Sequence, residues 1–218
     1  MVSPALWTEK PSTSILIAQA VGLTASGFLF GANTNISYSF IPQILKAPAP
    51  LAADQWEGVF HKGHAIGPAL AITSSAACAY VAYNRTEPWK PSFSASEALL
   101  ILGTEDPAST AFKLNVAAAI IFPSIIPFTI AVLIPTNNKL FAKNKSLAKT
   151  ALEDTAAEAG LAREETVHGL IEKWTKGHLV RSLITGVGFV LALWAAIDKR
   201  EAVGFKDFAF QTGANRMG

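Results

Sequence analysis

The last apolar segment of the chain begins with a stripe of polar and aromatic side chains. Trp174, His178, Arg181 and Thr185 are four, three and four positions apart, a spacing that places them on one side of a helix. A histidine exchanges protons near neutral pH, and an arginine stays charged and stabilises an oxyanion. The stripe therefore predicts acid–base chemistry or ligand binding, with anchoring at a membrane interface as the alternative.

The other apolar segments also carry unusual polar residues at one end. Because successive membrane helices alternate in direction, these ends and the start of the last segment all lie on one membrane face. Polar groups at membrane depth are costly and tend to be functional, so we predict a site there, with His178 and Arg181 as catalytic residues. For Asn33 and Asn137, capping of helix ends or bonding across helices is the alternative. The side chains predicted to bind substrate are Asn33, Asn137, Trp174, Tyr38 and His64.

Four long segments without Asp, Glu, Lys, Arg or His must position these residues. A helix needs about 20 mostly apolar residues to cross a bilayer, and its backbone groups must be satisfied internally in hydrocarbon. We therefore predict an all-α membrane protein, a four-transmembrane-helix bundle that forms a single domain over residues 1–218. The predicted membrane helices cover about residues 14–40, 62–84, 112–136 and 177–198.

The composition supports a membrane protein and argues against several other classes. Half of the residues are hydrophobic, 16% are charged, and the mean hydropathy is +0.33. The formal net charge of +2, without a basic run interleaved with aromatics, excludes a nucleic-acid-binding surface. The single cysteine, Cys78, excludes an internal disulfide. The sequence motifs of P-loop, Rossmann and α/β-hydrolase enzymes are absent.

The connections between the segments predict shorter helices. Residues 46–64 contain a proline-rich turn followed by a short interfacial helix, and a short helix is expected around residues 96–102. Residues 139–176 predict an interfacial helical hairpin between helices 3 and 4. We expect this hairpin to break near Gly160, with its second arm running from Ala162 straight into the fourth membrane helix.

Glycines and prolines inside the segments predict how the helices pack. Gly27 and Gly31 have the spacing of a small-xxx-small contact between helices. Pro123 and Pro127 should kink the third membrane helix and free backbone carbonyls near its middle. Helix packing alone accounts for these residues, so they do not identify a site.

A pair of histidines raises the alternative of a metal site. His61 and His64 are three positions apart and share a helix face, and His178 could supply a third ligand for a transition metal. The uncharged segments contain no carboxylate, and a histidine pair alone is a weak signal. We therefore predict a site without a metal and keep the three-histidine site as the alternative.

Several motifs resemble the DUF1772 membrane proteins, a family that includes the fungal anthrone oxygenases. The resemblance covers residues from about 15 to 196. The P-T-N sequence and the pattern W-x3-[NH]-x2-R are moderately specific together and weak apart. The matching residues are Gly31 and 33–42, Trp56 with Gly63 and Pro68, Pro135-Thr136-Asn137 with Leu140, and Trp174 with His178 and Arg181.

This resemblance implies a membrane-bound oxygenase that oxidises an anthrone-type aromatic polyketide to the quinone. O2 would be the co-substrate, and no organic cofactor would be needed. His178 would remove a proton from the anthrone, and Arg181 or Asn137 would stabilise the resulting oxyanion. We accordingly expect a hydrophobic aromatic substrate, a surrounding lipid bilayer, no nucleic-acid partner and location in an endomembrane. Homo-oligomer formation is left open.

Three other functions stay open at this point. The chain could be a non-catalytic membrane scaffold that holds a biosynthetic partner enzyme through residues 139–176. It could be a histidine-ligated, metal-dependent membrane oxygenase. A small transporter is less favoured, because the membrane segments contain few charges to line a pathway. An enzyme predicts turnover by the purified protein alone, whereas a scaffold predicts activity only with its partner.

Overall fold

The computed structural model describes residues 12–85 and 110–198. In chain order, its elements are α1 (Thr13–Asn35), a π-helical turn (Ile36–Phe40), α2 (Ile41–Ile44), α3 (Ala49–Gly63), α4 (Ile66–Arg85), α5 (Thr110–Phe128), a second π-helical turn (Thr129–Leu133), α6 (Ile134–Leu147), a 3-10 turn (Arg163–Glu165) and α7 (Val167–Ile197).

The predicted all-α membrane architecture is confirmed. Among the described residues, four helical segments are long and apolar enough to cross a membrane, which is consistent with a multi-pass membrane protein. Helices α1, α4, α5 and α7 form a bundle in which each packs against two neighbours, in the cyclic order α1, α4, α5, α7. The segments extend beyond the predicted membrane helices at the end where α3 and α6 pack. The short helix predicted around residues 96–102 lies outside the described residues.

Two prolines explain the two π-helical turns. A proline inside a helix has no N–H, and its ring clashes with the carbonyl four residues earlier. For Pro42 that carbonyl belongs to Tyr38, and for Pro135 it belongs to Ala131, and both carbonyls lie within the π-helical turns. The wider turn lets the helix accommodate the ring and continue, and such turns occur often at functional sites.

The carbonyl freed by Pro123 accepts a hydrogen bond from another helix. Pro123 cannot donate to the carbonyl of Ala119, and the Ser75 hydroxyl of α4 donates to that oxygen at 2.6 Å. The expectation that α5 frees a backbone carbonyl is therefore confirmed at this residue. The bond joins α4 to α5 inside the bundle, where water is not available to satisfy the carbonyl.

Aromatic rings fill the spaces left by glycines where the helices meet. A Cβ placed on Gly27 would come within 3.2 Å of the Phe189 ring, and one on Gly186 within 2.7 Å of the Phe30 ring. Helices α1 and α7 thus each insert a phenylalanine over a glycine of the other helix. The predicted small-xxx-small contact is wrong at Gly31, because that residue is exposed and an added Cβ would meet nothing within 4 Å.

Two separate groups of buried apolar residues stabilise the molecule. The first, which we call the cap core, joins α2, α3, α6 and the start of α7. The second, the membrane core, lies inside the four-helix bundle. The cap core consists of Ile41, Ile44, Ala49, Ala52, Ala53, Trp56, Leu133, Leu140, Val167, Leu170, Ile171 and Trp174. The membrane core consists of Leu29, Ala71, Cys78, Ala118, Phe122, Ile125 and Ala192.

The hairpin between the third and fourth membrane helices differs from the prediction in its second arm. Gly160, at φ +84°, lies in the turns between the arms, but α7 begins at Val167 and not at Ala162. The reason is local capping, since the Thr166 side chain accepts a hydrogen bond from the N–H of Gly169. The Glu158 carboxylate also accepts the Val167 N–H at 2.8 Å, which fixes the start of α7.

Candidate functional site

His178 is the centre of the candidate site. It is 1% exposed and lies on α7 one turn after Trp174, which is also buried. The two rings stack, with centroids 4.4 Å apart and planes inclined by 21°. Stacking of this kind favours the observed orientation of the imidazole plane.

The Nδ1 atom of His178 is held by a residue from another helix. The hydroxyl oxygen of Ser37, in the first π-helical turn, lies 2.8 Å from Nδ1. Both side chains are buried, and they are 141 positions apart in the chain. Within the described part of the chain, the other ring nitrogen, Nε2, has no hydrogen-bond partner.

A second polar contact joins the same two helices one turn away. The Nη2 atom of Arg181 donates to Oδ1 of Asn33 at 3.3 Å. Arg181 is partly buried, and Asn33 is buried. The Nε of Arg181 and the Nδ2 of Asn33 are buried without a partner among the described residues. Two hydrogen-bond donors beside this contact are therefore unused. Buried donors of this kind are costly unless a ligand satisfies them. We refer to Ser37–His178 and Asn33–Arg181 as the polar pairs.

Asn137 lies on a third helix, on the side that faces α7. It is buried on α6, and its Oδ1 atom has no partner among the described residues. Leu133, one turn earlier, packs against Gly177, so this face of α6 is turned towards α7 next to His178. Asn137 therefore presents an unused acceptor on the side of α6 that faces α7.

Two of the predicted substrate-binding residues are not brought to the polar pairs. Tyr38 is 82% exposed, because it is one position after Ser37 and points to a different side of the helix. His64 is exposed as well: its Nδ1 lies 2.9 Å from the carbonyl oxygen of His61, and its ring stacks on Phe60.

The three histidines of the alternative metal site do not converge. His61 is exposed, and its Nε2 lies 3.2 Å from a carboxylate oxygen of Glu57, whereas His178 is buried against Ser37. In residues 12–85 and 110–198, no group of three or more His, Cys, Asp or Glu side chains is arranged to hold an ion. The residue set His61, His64 and His178 is thus not a formed site in this arrangement.

The rest of the stripe on α7 is buried but bonded within its own helix. Thr185 is 0% exposed and donates to the Ser182 carbonyl, and Ser182 donates to the His178 carbonyl. Of the predicted stripe of Trp174, His178, Arg181 and Thr185, three residues are confirmed on one buried face of α7: Trp174, His178 and Thr185. Arg181 lies at its edge, where it reaches Asn33.

The predicted site residues did not include two residues that surround the Trp174–His178 pair. Ser37 follows Asn33 by four positions, and this spacing could have placed both on one helix face. Trp56 is 0% exposed and meets Trp174 edge-on at 6.0 Å between ring centroids. Its position beside Trp174 depends on the docking of α3 against α7, which no local pattern specifies.

A groove of about 530 Å³ lies elsewhere, on the outer side of the cap core. Pro50, Asp54 and Glu57 of α3 line one side of it. None of the predicted site residues lines this groove, so it is separate from the polar pairs.

Comparison with known proteins identifies the family. The sequence profile described as Anthrone oxygenase matches residues 56–191, more than half of the chain. The chain is 32% identical over 177 residues to Anthrone oxygenase AgnL2 of Paecilomyces divaricatus, covering 80% of this chain and 92% of that protein. It is 29% identical over 184 residues to Anthrone oxygenase tpcL of Aspergillus fumigatus, covering 84% and 94%.

A relative named as a monooxygenase aligns with a similar share of this chain. Noranthrone monooxygenase of Aspergillus flavus is 25% identical over 187 residues, covering 83% of this chain and 74% of that protein. No solved structure is significantly similar. The profile includes Asn137, His178 and Arg181, whereas Asn33 and Ser37 precede it. On the extent of the profile match and of these alignments, the chain belongs to the anthrone oxygenase family.

Proposed function

We propose that the chain is a membrane-bound enzyme that oxidises an anthrone-type aromatic polyketide to the quinone with O2, with His178 as the base. Family membership makes the chain an anthrone oxygenase-like monooxygenase, and the names of its relatives support a role in polyketide biosynthesis. The observation that carries the residue assignment is the pair of contacts that brings His178 and Arg181 against Ser37 and Asn33.

The reaction requires a base and a place for negative charge. An anthrone has a ring methylene opposite its carbonyl, and removing a methylene proton delocalises the negative charge onto the carbonyl oxygen. A positioned base contributes about 10²- to 10⁴-fold to the rate of such a step. Donors aimed at the oxygen stabilise the charge as it develops. The site must therefore supply one acceptor of a proton and at least one fixed donor.

His178 suits the role of the base. Its Nδ1 is engaged by Ser37, so Nε2 is the nitrogen left to accept a proton from the substrate. Stacking on Trp174 favours the observed orientation of the ring plane, which reduces the cost of orienting the base. The buried surroundings of the ring exclude water, which favours direct transfer from carbon to nitrogen.

Arg181 and Asn33 suit the role of the oxyanion site. The Nε of Arg181 and the Nδ2 of Asn33 are donors without partners in the described structure, and they flank one contact. A phenolate or enolate oxygen would accept from both and satisfy them. Asn137 offers an unused acceptor on the neighbouring helix, which suits a phenolic hydroxyl of the substrate.

The remaining steps use O2 as the oxidant. The carbanion transfers one electron to O2, and the radical pair recombines to form a carbon–oxygen bond. The peroxide takes the proton held by His178 and becomes a hydroperoxide. Removal of the second proton from the same carbon breaks the oxygen–oxygen bond, and the departing hydroxide takes up that proton to form water. The methylene carbon loses four electrons, and one atom of O2 ends in the new carbonyl and the other in water.

Turnover by the purified protein alone tests this function. O2 uptake and quinone absorbance are followed in detergent micelles with an anthrone, and heat-inactivated protein gives the uncatalysed background. With 18O2, one labelled atom is expected in the new carbonyl. Quinone formed without label at that carbonyl would contradict the proposal, and turnover only after adding a second protein would favour the scaffold.

Substitution of two histidines tests the residue assignment. His178→Ala is expected to lower kcat about 10²- to 10⁴-fold, because the base is lost. His61→Ala is the matched control, since His61 is exposed and, among the described residues, its side chain contacts Glu57, Phe60, His64 and Phe141. Comparable losses in both variants would support the three-histidine metal site, because removal of any ligand disrupts the coordination geometry.

A further inference from the structure

We infer that Ser37 is a positioning residue that fixes the tautomer of His178, with the proton on Nδ1 and the lone pair on Nε2. This inference rests on the proposed function, because it concerns the histidine assigned there as the base. Ser37 itself does not touch the reacting atoms. It acts through the 2.8 Å contact between its Oγ and Nδ1 of His178.

The contact between Ser37 and His178 is buried among the described residues. Ser37 is 6% exposed and His178 is 1% exposed, so water does not compete for either group. The only side-chain hydrogen bond that Ser37 makes among the described residues is the one to Nδ1. By contrast, the hydroxyls of Ser26, Ser74 and Ser182 donate to carbonyls of their own helices. The Ser37 side chain is therefore directed to another helix.

The π-helical turn explains why Ser37 is available for this contact. A serine in a regular helix often donates to the carbonyl four residues earlier. Ser37 lies in the Ile36–Phe40 turn, where the Pro42 ring widens the helix. Within the described structure its hydroxyl makes no bond to its own helix and is directed instead across the α1–α7 contact to His178.

The direction of the hydrogen bond decides what His178 can do. A neutral imidazole has one N–H and one lone pair, and the bond made by one nitrogen sets the state of the other. If Nδ1 donates to Ser37, Nε2 has a lone pair and can act as a base. If Ser37 donates to Nδ1 instead, Nε2 carries the proton and can only donate. Base catalysis by His178 thus requires Ser37 to be the acceptor.

Nitrogen-15 spectroscopy of the wild-type protein tests the tautomer directly. The protein is labelled with 15N-histidine, kept free of substrate in micelles, and the His178 signals are identified by their loss in His178→Gln. The inference expects a protonated Nδ1 and an unprotonated Nε2. A protonated Nε2 would overturn it. Because this readout needs no turnover, it is separate from the test of the proposed function, which a fully active His178→Ala variant would overturn.

Three serine variants test whether the contact matters for catalysis. Ser37→Ala is expected to lower kcat about 10- to 100-fold with little change in KM, and to give mixed tautomers in the His178 spectrum. Ser37→Thr keeps a hydroxyl and is expected to restore kcat to within about threefold of the wild type and the single tautomer. Ser39→Ala is the matched control, because Ser39 lies exposed in the same turn. Ser37→Ala with unchanged kcat and an unchanged tautomer would overturn the inference, as would failure of folded Ser37→Thr to restore either property.

Discussion

The cap core and the membrane core differ in the side chains that pack between their helices. The cap core is built around Trp56, which contacts Trp174, Phe60 and Phe141. The membrane core uses Ala71, Ala118 and Ala192 with one large ring, Phe122. Because the cap core lies mostly beyond the predicted membrane helices, we expect burial of apolar surface from water to stabilise it, whereas we expect close approach of helices and van der Waals contact to stabilise the membrane core.

Polar links follow the same division. Around the cap core, the links between separate segments use carboxylates: Glu158 pairs with Lys143 at 3.1 Å, and Glu57 accepts a hydrogen bond from Asn144. In the bundle the corresponding link is neutral, from the Ser75 hydroxyl to the Ala119 carbonyl. The polar pairs lie between the two regions, since Trp174 belongs to the cap core and the Phe189 and Gly186 contacts to the bundle. The site is thus positioned by both regions at once.

The largest expected effect of a single change is in the cap core. Trp56→Ala should lower the free energy of unfolding by about 3–5 kcal/mol, because a fully buried tryptophan leaves a cavity. It should also lower activity, since Trp174, which stacks on His178, loses its edge-on neighbour. Thermal unfolding in detergent and quinone formation measure the two effects.

Trp194→Ala is the matched control for this cavity. Trp194 lies on α7 far along the bundle and is 52% exposed, so its removal should change both measurements little. If Trp56→Ala is no more damaging than Trp194→Ala, the cap core does not stabilise the site.

A change in the membrane core tests the opposite mode of packing. Gly188→Leu should lower the free energy of unfolding by about 1–3 kcal/mol, because even its Cβ would come within 2.8 Å of the Phe122 ring. The control is Gly31→Leu, where an added Cβ meets nothing within 4 Å. Thermal unfolding of both variants gives the comparison, and equal stability would show that close approach at Gly188 is not required.

The sequence predicted the helices and the buried face of α7, because both are periodic features of one segment. Uncharged runs of about 20 residues define membrane helices, and the spacing of Trp174, His178 and Thr185 defines a face. Ser37 was missed and Tyr38 was selected in its place, although they are adjacent. The π-helical turn and the pairing of α1 with α7 decide which of the two is buried, and neither follows from local periodicity.

Two further errors concern helix packing and a helix boundary. Gly27 and Gly31 are four positions apart, as in a small-xxx-small contact. The neighbouring helix α7 packs against Gly27 through the Phe189 ring, whereas an added Cβ on Gly31 would meet nothing within 4 Å. The expected start of α7 at Ala162 ignored the cap that Thr166 and Glu158 provide at Val167. For the glycines the missing information is the position of a second helix, whereas the cap at Val167 is local and could have been read from the sequence.

The smallest expected effect concerns the neutral link in the bundle. Ser75→Ala removes the donor to the Ala119 carbonyl, which Pro123 leaves without its helical partner. Hydrogen bonds between membrane helices contribute about 0.6 kcal/mol on average and up to about 1.7 kcal/mol. We expect a loss in this range, seen as a small decrease in the midpoint of thermal unfolding, with kcat unchanged because the polar pairs are on other helices.

Thr73→Ala separates the contribution of this link from that of any lost hydroxyl. Thr73 lies two positions before Ser75 on α4, is exposed, and donates at 2.9 Å to the Ala69 carbonyl of its own helix. That carbonyl keeps its backbone partner in the variant, so stability should be almost unchanged. If both variants lose the same amount, the Ser75 bond does no more than a bond within one helix. A larger loss in Ser75→Ala would show that a proline-freed carbonyl in the bundle needs a donor from its neighbour, as the absence of water there requires.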